Sequence, residues 1–241
     1  MYLNKVHIRH LTGWITGLCL LLAAGIVGAS EMTPYETAAK LQETYDKISS
    51  ISAEFRQTTF MKMSRRARHG AGSVVFQKPG RMRWDYSSPA QQVLVCDGRT
   101  FYMYFAKEEQ MMAVSADQYL KSDVTYSFFA GTGNILRDFD VLPPDEDVKR
   151  TEAAEDTAPG TEKLQGGKSI IIKLVPRNSH PQINYIHVWT EDGTFLTHRI
   201  RIVDQFGSVT DLFFTDIKVD QEIPVSRFTF IPPPGTEVIE P

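Results

Sequence analysis

The chain has 241 residues, a mass of 27.3 kDa and a formal net charge of −3, with 26 Lys and Arg against 29 Asp and Glu. This length is sufficient for one large or two small domains that bury a hydrophobic core without metals or disulfides. The near-neutral balance argues against a protein dedicated to nucleic acids or to acidic membranes, because such proteins carry a surplus of Lys and Arg.

The first 29 residues have the composition of a secretory signal. Lys5 and Arg9 precede an apolar run over residues 11–27, and small residues follow that run. This order predicts a signal peptide at 1–29 that is cleaved on export. A single membrane anchor is the alternative, because the run approaches the length of a spanning helix. Cys19 lies within the apolar run, too early for a lipidated signal.

Cleavage after residue 29 removes two basic residues, which leaves 24 basic and 29 acidic residues, a formal charge of −5 and one cysteine, Cys96. An exported chain with a single thiol forms no internal disulfide, so residues 30–241 are expected to form one domain that depends on its packed core. Cys96 follows the apolar residues 93–95, which favours a buried side chain over a reactive thiol.

One amphipathic helix is predicted near the start of this domain. Thr33, Pro34 and Glu36 form the pattern of an N-cap, a first-turn proline and a capping box. Apolar residues then recur at three- and four-residue steps, which predicts a single apolar face: Ala38, Leu41, Tyr45, Ile48 and Ile51.

From Ser52 onward the apolar pattern has a period of two, which is typical of β-strands. Asp97-Gly98 and Asp192-Gly193 lie between such segments and predict hairpins. The sequence therefore predicts a mainly β (α+β) fold built on an antiparallel sheet. The predicted strands are 52–63, 73–77, 81–86, 93–96, 99–105, 168–175, 183–190, 194–203, 209–219 and 228–231.

Two segments interrupt the strands. Residues 115–138 contain apolar residues without the period of two and predict one or two short helices. Residues 142–167 are rich in Pro, Asp and Glu and almost free of apolar side chains, which predicts a mobile acidic loop. An acidic binding arm is the alternative for the second segment.

Motifs typical of catalysis are missing, so we expect no catalytic, metal or cofactor site. A two-residue turn at Asp192-Gly193 would place His187 opposite His198; a structural pair is favoured over a weak metal site, because two imidazoles without a carboxylate bind metal poorly. The basic residues 65–69 predict an exposed hairpin loop, and contact with an acidic partner surface is the alternative.

Aromatic and methionine side chains are concentrated in the predicted strands, among them Trp84, Tyr86 and residues 101–105. Because residues 102–105 are apolar on both faces, their strand is expected to be covered on both sides. Flexible and aromatic side chains suit a cavity for an apolar ligand, and a well-packed core explains the same composition.

Four segments occur in a characteristic order: 51–57 (ISAEFRQ), 72–86 (GSVVFQKPGRMRWDY), 93–100 (VLVCDGRT) and 228–238 (FTFIPPPGTEV). Together they resemble the LolA family of outer-membrane lipoprotein carrier proteins, over essentially all of residues 30–241. The resemblance implies an unclosed antiparallel β-barrel of about eleven strands, with a helical lid over its apolar concave face. It also implies a non-enzymatic, monomeric chaperone in the periplasm.

The same resemblance implies partners and site residues. A carrier of this family takes the acyl chains of lipoproteins from an inner-membrane ABC-type releasing complex and passes them to an outer-membrane lipoprotein receptor. The acyl chains would contact the first helix, the strands and the lid, and Lys78 would latch the lid where the best-studied carriers have arginine. The implied cavity residues are Leu41, Tyr45, Phe55, Met82, Trp84, Phe128 and Phe129.

Three other functions remain open at this point. A periplasmic sensor could use the same half-barrel to bind lipid, although such proteins usually have a second domain. An outer-membrane receptor of this fold would need a lipidated cysteine at its signal. A periplasmic hydrolase would need a polar triad at the mouth of the cavity.

Overall fold

The computed structural model describes residues 32–122, 133–155, 168–180 and 182–239, which belong to one compact unit. The predicted signal peptide lies outside these residues. The helices are α1 (Pro34–Lys47), α2 (Ala116–Ser122), α3 (Ile135–Asp138), α4 (Glu146–Glu155) and a 3₁₀ helix (Val225–Phe228). The strands are β1 (Ser50–Met61), β2 (Arg66–Gln77), β3 (Arg81–Ser88), β4 (Gln92–Asp97), β5 (Thr100–Phe105), β6 (Gln110–Ser115), β7 (Phe139–Leu142), β8 (Ser169–Pro176), β9 (Tyr185–Glu191), β10 (Thr197–Val203), β11 (Val209–Val219) and β12 (Glu237–Ile239).

The strands form one twelve-stranded sheet in the order β12-β6-β5-β4-β3-β2-β1-β11-β10-β9-β8-β7. All neighbours are antiparallel except β12, which runs parallel to β6. The end strands β12 and β7 do not pair with each other, so the sheet is unclosed. This confirms the predicted fold class. Three described strands, β6, β7 and β12, were not among the predicted ones. Strand β12 has three residues, too few to show a period-two pattern.

Helix α1 begins where its capping signals predict. The Thr33 hydroxyl accepts a hydrogen bond from the Glu36 N–H at 3.2 Å, and the Glu36 carboxylate accepts one from the Thr33 N–H at 2.8 Å. The apolar side of α1 packs on α3, β7 and β8. Within the described ranges, no helix combines the length and apolarity needed to cross a bilayer.

Apolar side chains form two clusters on opposite faces of the sheet. The larger cluster lies on the concave face beneath α1 and includes residues of β1–β5 and β7–β11. The smaller cluster lies on the other face and contains six buried residues: Val75, Val93, Val95, Tyr104, Met111 and Phe228. Strands β4 and β5 are thus covered on both faces of the sheet, which agrees with apolar side chains at successive positions of these strands.

The strand predicted at 228–231 is wrong. Residues 225–228 form the 3₁₀ helix, and residues 229–233 cross the sheet without joining it. Phe228 is fully buried in the smaller cluster, so this segment is held by side-chain packing. Three consecutive prolines follow at 232–234, and proline has no N–H to donate to a strand.

The loop predicted at 142–167 is wrong for residues 146–155, which form α4. Asp145 starts this helix: its carbonyl oxygen accepts the N–H groups of Val148 and Lys149, and its carboxylate binds the Lys173 ammonium at 2.8 Å. Val148 is buried. Val148 and the Asp145–Lys173 ion pair thus help to position a segment whose composition is typical of a loop; its mobility stays a prediction.

The predicted pairing of His187 with His198 is wrong. The β9–β10 turn is longer than two residues, because Phe195 has a left-handed φ of 56° and Leu196 accepts the Glu191 N–H. The pairing also shifts between Thr197 and Arg199, which leaves His187 opposite Arg201. The His198 ring instead lies 3.1 Å from the Ser169 hydroxyl.

Candidate functional site

The concave face brings together the five described residues that were predicted to line a cavity. Leu41 and Tyr45 come from α1, and Phe55, Met82 and Trp84 come from β1 and β3. All five are buried in the larger apolar cluster. Strand alternation explains this placement, because residues two apart on a strand point to the same face. Phe128 and Phe129 lie outside the described residues.

Aromatic rings form the centre of this face. The ring of Phe55 lies 4.8 Å from those of Trp84 and Tyr86, both edge-to-face. Phe76 and Phe214 extend the group, with centroids 5.9 and 6.2 Å from Trp84. Such a surface has no directional requirement, so it can contact hydrocarbon chains of different length and position.

A row of polar side chains bounds the aromatic group towards the β1–β2 hairpin. The Tyr86 hydroxyl donates to Gln57 Oε1 at 2.8 Å, and Gln57 Nε2 donates to Thr59 Oγ1 at 3.2 Å. Thr59 Oγ1 in turn lies 3.1 Å from Thr210 Oγ1. Burial raises the pKa of Tyr86 to about 12, so its hydroxyl keeps its proton. The implied site residues did not include this row, although the period of two already places Gln57 and Thr59 on the face of Phe55.

Polar contacts fix α1 over the apolar face. The Tyr45 hydroxyl accepts the Thr197 N–H at 3.2 Å, and burial raises the pKa of this phenol. Gln42 Oε1 accepts the Ile135 N–H at 2.8 Å, which joins α1 to α3. These contacts tie one side of the helix to β10 and the other to α3.

Lys78 lies at the C-terminal end of α1. Its ammonium donates a hydrogen bond to the main-chain carbonyl oxygen of Tyr45. Burial lowers the pKa of Lys78, and the nearby carboxylates of Asp46 and Asp220 oppose that effect. Among the residues described, its contact is thus with the helix that covers the apolar face; the predicted latch on the lid stays a prediction.

Reactive groups near this face are few. Cys96 is fully buried, as predicted, and burial raises the pKa of its thiol, which disfavours the nucleophilic thiolate. Over residues 32–122, 133–155, 168–180 and 182–239, no three side chains of His, Cys, Asp or Glu converge as a metal-binding set. The apolar cluster of the concave face is itself suited to contact with apolar groups.

Comparison with known proteins gives consistent matches. The family model described as "Outer membrane lipoprotein carrier protein LolA" matches residues 46–163. An outer-membrane lipoprotein carrier protein of Nitrosomonas europaea is 28% identical over 204 residues, or 84% of this chain and 89% of the relative. A protein of the same name from Legionella pneumophila is 25% identical over 221 residues, or 92% and 98%.

A solved structure supports the fold. The crystal structure of an uncharacterized conserved protein from Thermus thermophilus superposes with a TM-score of 0.50 at 11% identity, covering 86% of this chain and 98% of that one. The matches in sequence extend over nearly the whole length of both relatives. They agree with the unclosed sheet and its helix-covered apolar face, and the chain is similar in sequence to the outer-membrane lipoprotein carrier proteins of the LolA family over most of its length.

Proposed function

We propose that this protein is a periplasmic chaperone that carries the acyl chains of lipoproteins from the inner to the outer membrane. The observation that carries the proposal is the continuous apolar cluster between α1 and the concave face, from Leu41 on α1 to Phe214 on β11. Each CH₂ group of an acyl chain that is kept from water contributes about 0.8 kcal/mol, so a lipid-anchored protein needs such a surface to cross an aqueous compartment.

The role requires partners at both membranes. On the donor side we propose an inner-membrane ABC-type complex that releases the lipoprotein, and on the acceptor side an outer-membrane lipoprotein receptor. The carrier itself acts as a monomer and catalyses no reaction. The buried thiol and the apolar character of the concave face support a binding role.

Loading requires α1 to move. Leu41 and Tyr45 are buried in the larger apolar cluster, so an acyl chain that enters beneath α1 must displace part of this contact. Among the described residues, the polar attachments of the C-terminal half of α1 include those of the Tyr45 hydroxyl, the Lys78 ammonium, the Gln42 amide and the Thr44 hydroxyl. Hydrogen bonds of this kind contribute about 1 kcal/mol each, a cost that acyl burial offsets.

Site-specific photocrosslinking tests the proposal. A photoreactive phenylalanine at Tyr86 would lie half-buried on the concave face; the same residue at Tyr102 would lie half-buried on the opposite face. In cells that co-express a lipoprotein, we expect a crosslink from position 86 and none from position 102. A lipoprotein whose acylated cysteine is replaced by alanine should give no crosslink at either position.

Co-purification supplies a second readout. The protein should be recovered with its lipidated partner, and detergent should release that partner. Equal crosslinking from positions 86 and 102, or equal recovery of the unacylated partner, would contradict the proposal.

A further inference from the structure

The hairpin that joins β1 and β2 is a strongly cationic part of an acidic chain. Residues 55–77, which form most of this hairpin, contain five Lys and Arg and no Asp or Glu. Four of these cations lie at the tip or beside it: Lys62, Arg65, Arg66 and Arg68. All four side chains are exposed, and none forms an ion pair with the residues that the structure describes.

The hairpin projects beyond its neighbour on one side. Strands β1 and β2 pair from Ser50 and Gln77 to Met61 and Arg66, whereas β3 stops pairing with β2 at Ala71. Residues 66–70 of β2 therefore pair with no strand on that side among the described residues. Residues 62–69 are all exposed, so the tip has no covering element among the described residues.

Large apolar side chains stand among these cations. Met63 at the tip is 84% exposed, and Phe60 at the end of β1 is 44% exposed. Phe206, in the β10–β11 turn, is 67% exposed. The turn adjoins the hairpin, because Phe60 pairs with Val209 and the side chain of Lys62 lies against Gly207.

We propose that the hairpin tip and the β10–β11 turn form a docking surface for a membrane that contains anionic phospholipids. Cations attract the negative headgroups, and the apolar tip inserts at the level of the interface. Charge complementarity favours this occupant, because the four exposed cations of the tip match a continuous negative surface. The one carboxylate of the adjoining turn, Asp204, accepts hydrogen bonds from the Phe206 and Ser208 N–H groups. An acidic protein would match the cations alone and leave Met63 and Phe206 unexplained.

The surface is oriented with respect to the concave face. Side chains alternate along paired strands, so Arg66 and Arg68 lie on the same face as Thr59 and Phe55. Docking through these arginines would turn the end of the apolar face that carries the Tyr86–Gln57–Thr59 row towards the headgroups. This inference concerns the membrane and goes beyond the proposed acyl-chain site.

Vesicle co-sedimentation tests the proposal with the purified protein and no lipoprotein present. We expect binding to vesicles of phosphatidylethanolamine with phosphatidylglycerol, little binding to phosphatidylcholine, and loss of binding at high salt. The double variant Arg66→Gln/Arg68→Gln should bind about 25-fold more weakly, at about five-fold for each cation. The matched control Arg99→Gln/Lys107→Gln removes two exposed cations elsewhere and should bind as the unmodified protein does.

The apolar contribution is tested separately. Met63→Ser should weaken binding about ten-fold, and Ile231→Ser, at an equally exposed apolar position, should not change it. Met63→Trp should show a blue shift of its fluorescence on anionic vesicles, whereas Ile231→Trp should not.

Three results would overturn the inference. The first is no binding to anionic vesicles at low salt. The second is equal loss in the hairpin and control variants, which would indicate a general effect of charge. The third is hairpin-dependent capture of an acidic protein without vesicle binding. The vesicle assay contains no lipoprotein, so none of these results bears on the crosslinking test of the acyl-chain site.

Discussion

At the scale of single residues, the most informative side chain is Lys78, which resemblance predicts as a latch. Its ammonium reaches the Tyr45 carbonyl at the end of α1, where helix carbonyls lack partners within the helix. A cation there also interacts favourably with the helix dipole. The residue therefore contributes to how tightly α1 covers the apolar face.

Replacing Lys78 is expected to loosen the end of α1. Lys78→Ala should speed amide hydrogen exchange in the last turn of α1 and lower the free energy of unfolding by about 1 kcal/mol. Lys78→Arg should preserve slow exchange, because guanidinium keeps the charge and the donors. The exposed Lys47, in the same turn, serves as the control; equal effects of Lys47→Ala and Lys78→Ala would contradict a specific role for the partly buried Lys78.

His198 should make stability depend on pH. Burial lowers the pKa of His198 to about 4, below the value of 6.5 that an exposed imidazole has. As the pH falls from 6.5 towards 4, the unfolded chain takes up a proton that the folded chain does not. The free energy of unfolding should therefore decrease by up to about 3 kcal/mol across this interval.

Urea unfolding at pH 7 and pH 5 checks this expectation. His198→Asn should reduce the loss of stability at the lower pH, because the titrating group is gone. Ser169→Ala removes the hydrogen-bond partner of His198 and keeps the imidazole. This variant should therefore lose as much stability between pH 7 and pH 5 as the unmodified protein does. An unchanged pH dependence in His198→Asn would assign the acid sensitivity to other groups.

At the scale of elements, the C-terminal segment depends on one aromatic residue. Phe228 is fully buried on the face opposite α1. Arg83 donates to the carbonyl oxygens of Arg227 and Thr229 on either side, and Arg227 binds Asp85 at 3.0 Å. Packing and hydrogen bonds thus hold a segment that makes no strand pairing until β12.

Phe228→Ala should therefore destabilise the protein by about 3–5 kcal/mol, the usual effect of removing a buried phenyl ring. Ile231→Ala, three residues later and 84% exposed, should change stability by less than about 0.5 kcal/mol. Chemical unfolding of the two variants provides the comparison. Similar small effects of both would mean that the segment is held chiefly by its polar contacts.

Sequence patterns predict the elements to different degrees, for physical reasons. The capping box at Thr33 and the alternation at Met82 and Trp84 are local signals, and the structure confirms both. The 3₁₀ helix at Phe228 and the helix after Asp145 depend on contacts with distant strands, which no local period encodes. The predicted β9–β10 register is wrong because Phe195 adopts a left-handed conformation that is uncommon for a bulky residue.

The candidate site likewise combines residues that local sequence patterns place with contacts between distant strands. The period of two places Phe55, Met82 and Trp84 on one face, and the helical period places Leu41 and Tyr45 opposite them. Resemblance supplied their role, since a packed core has the same pattern. The polar row from Tyr86 to Thr210 depends on pairing between β1, β3 and β11, which required the sheet order.

At the scale of the whole molecule, the near-neutral net charge conceals an uneven distribution of positive and negative residues along the chain. Residues 55–84 have only cations, whereas the acidic residues are concentrated elsewhere, including the segment around α4. The composition as a whole argued against a membrane-binding protein, and the local cluster on the hairpin reverses that expectation for one surface.

The proposed carrier has to open between α1 and the sheet, so a covalent tether across that contact should prevent loading. Thr44 on α1 and Thr194 in the β9–β10 turn are neighbours, since the Thr44 hydroxyl lies 3.4 Å from the Thr194 carbonyl oxygen. Cysteines at both positions, joined by a short thiol crosslinker, should abolish acyl-dependent crosslinking from position 86, and Cys96 should not react because it is buried. The untethered double variant is the control, and a cleavable crosslinker should restore loading when it is cut. Loading of the tethered protein at the normal level would show that acyl chains enter without movement of α1.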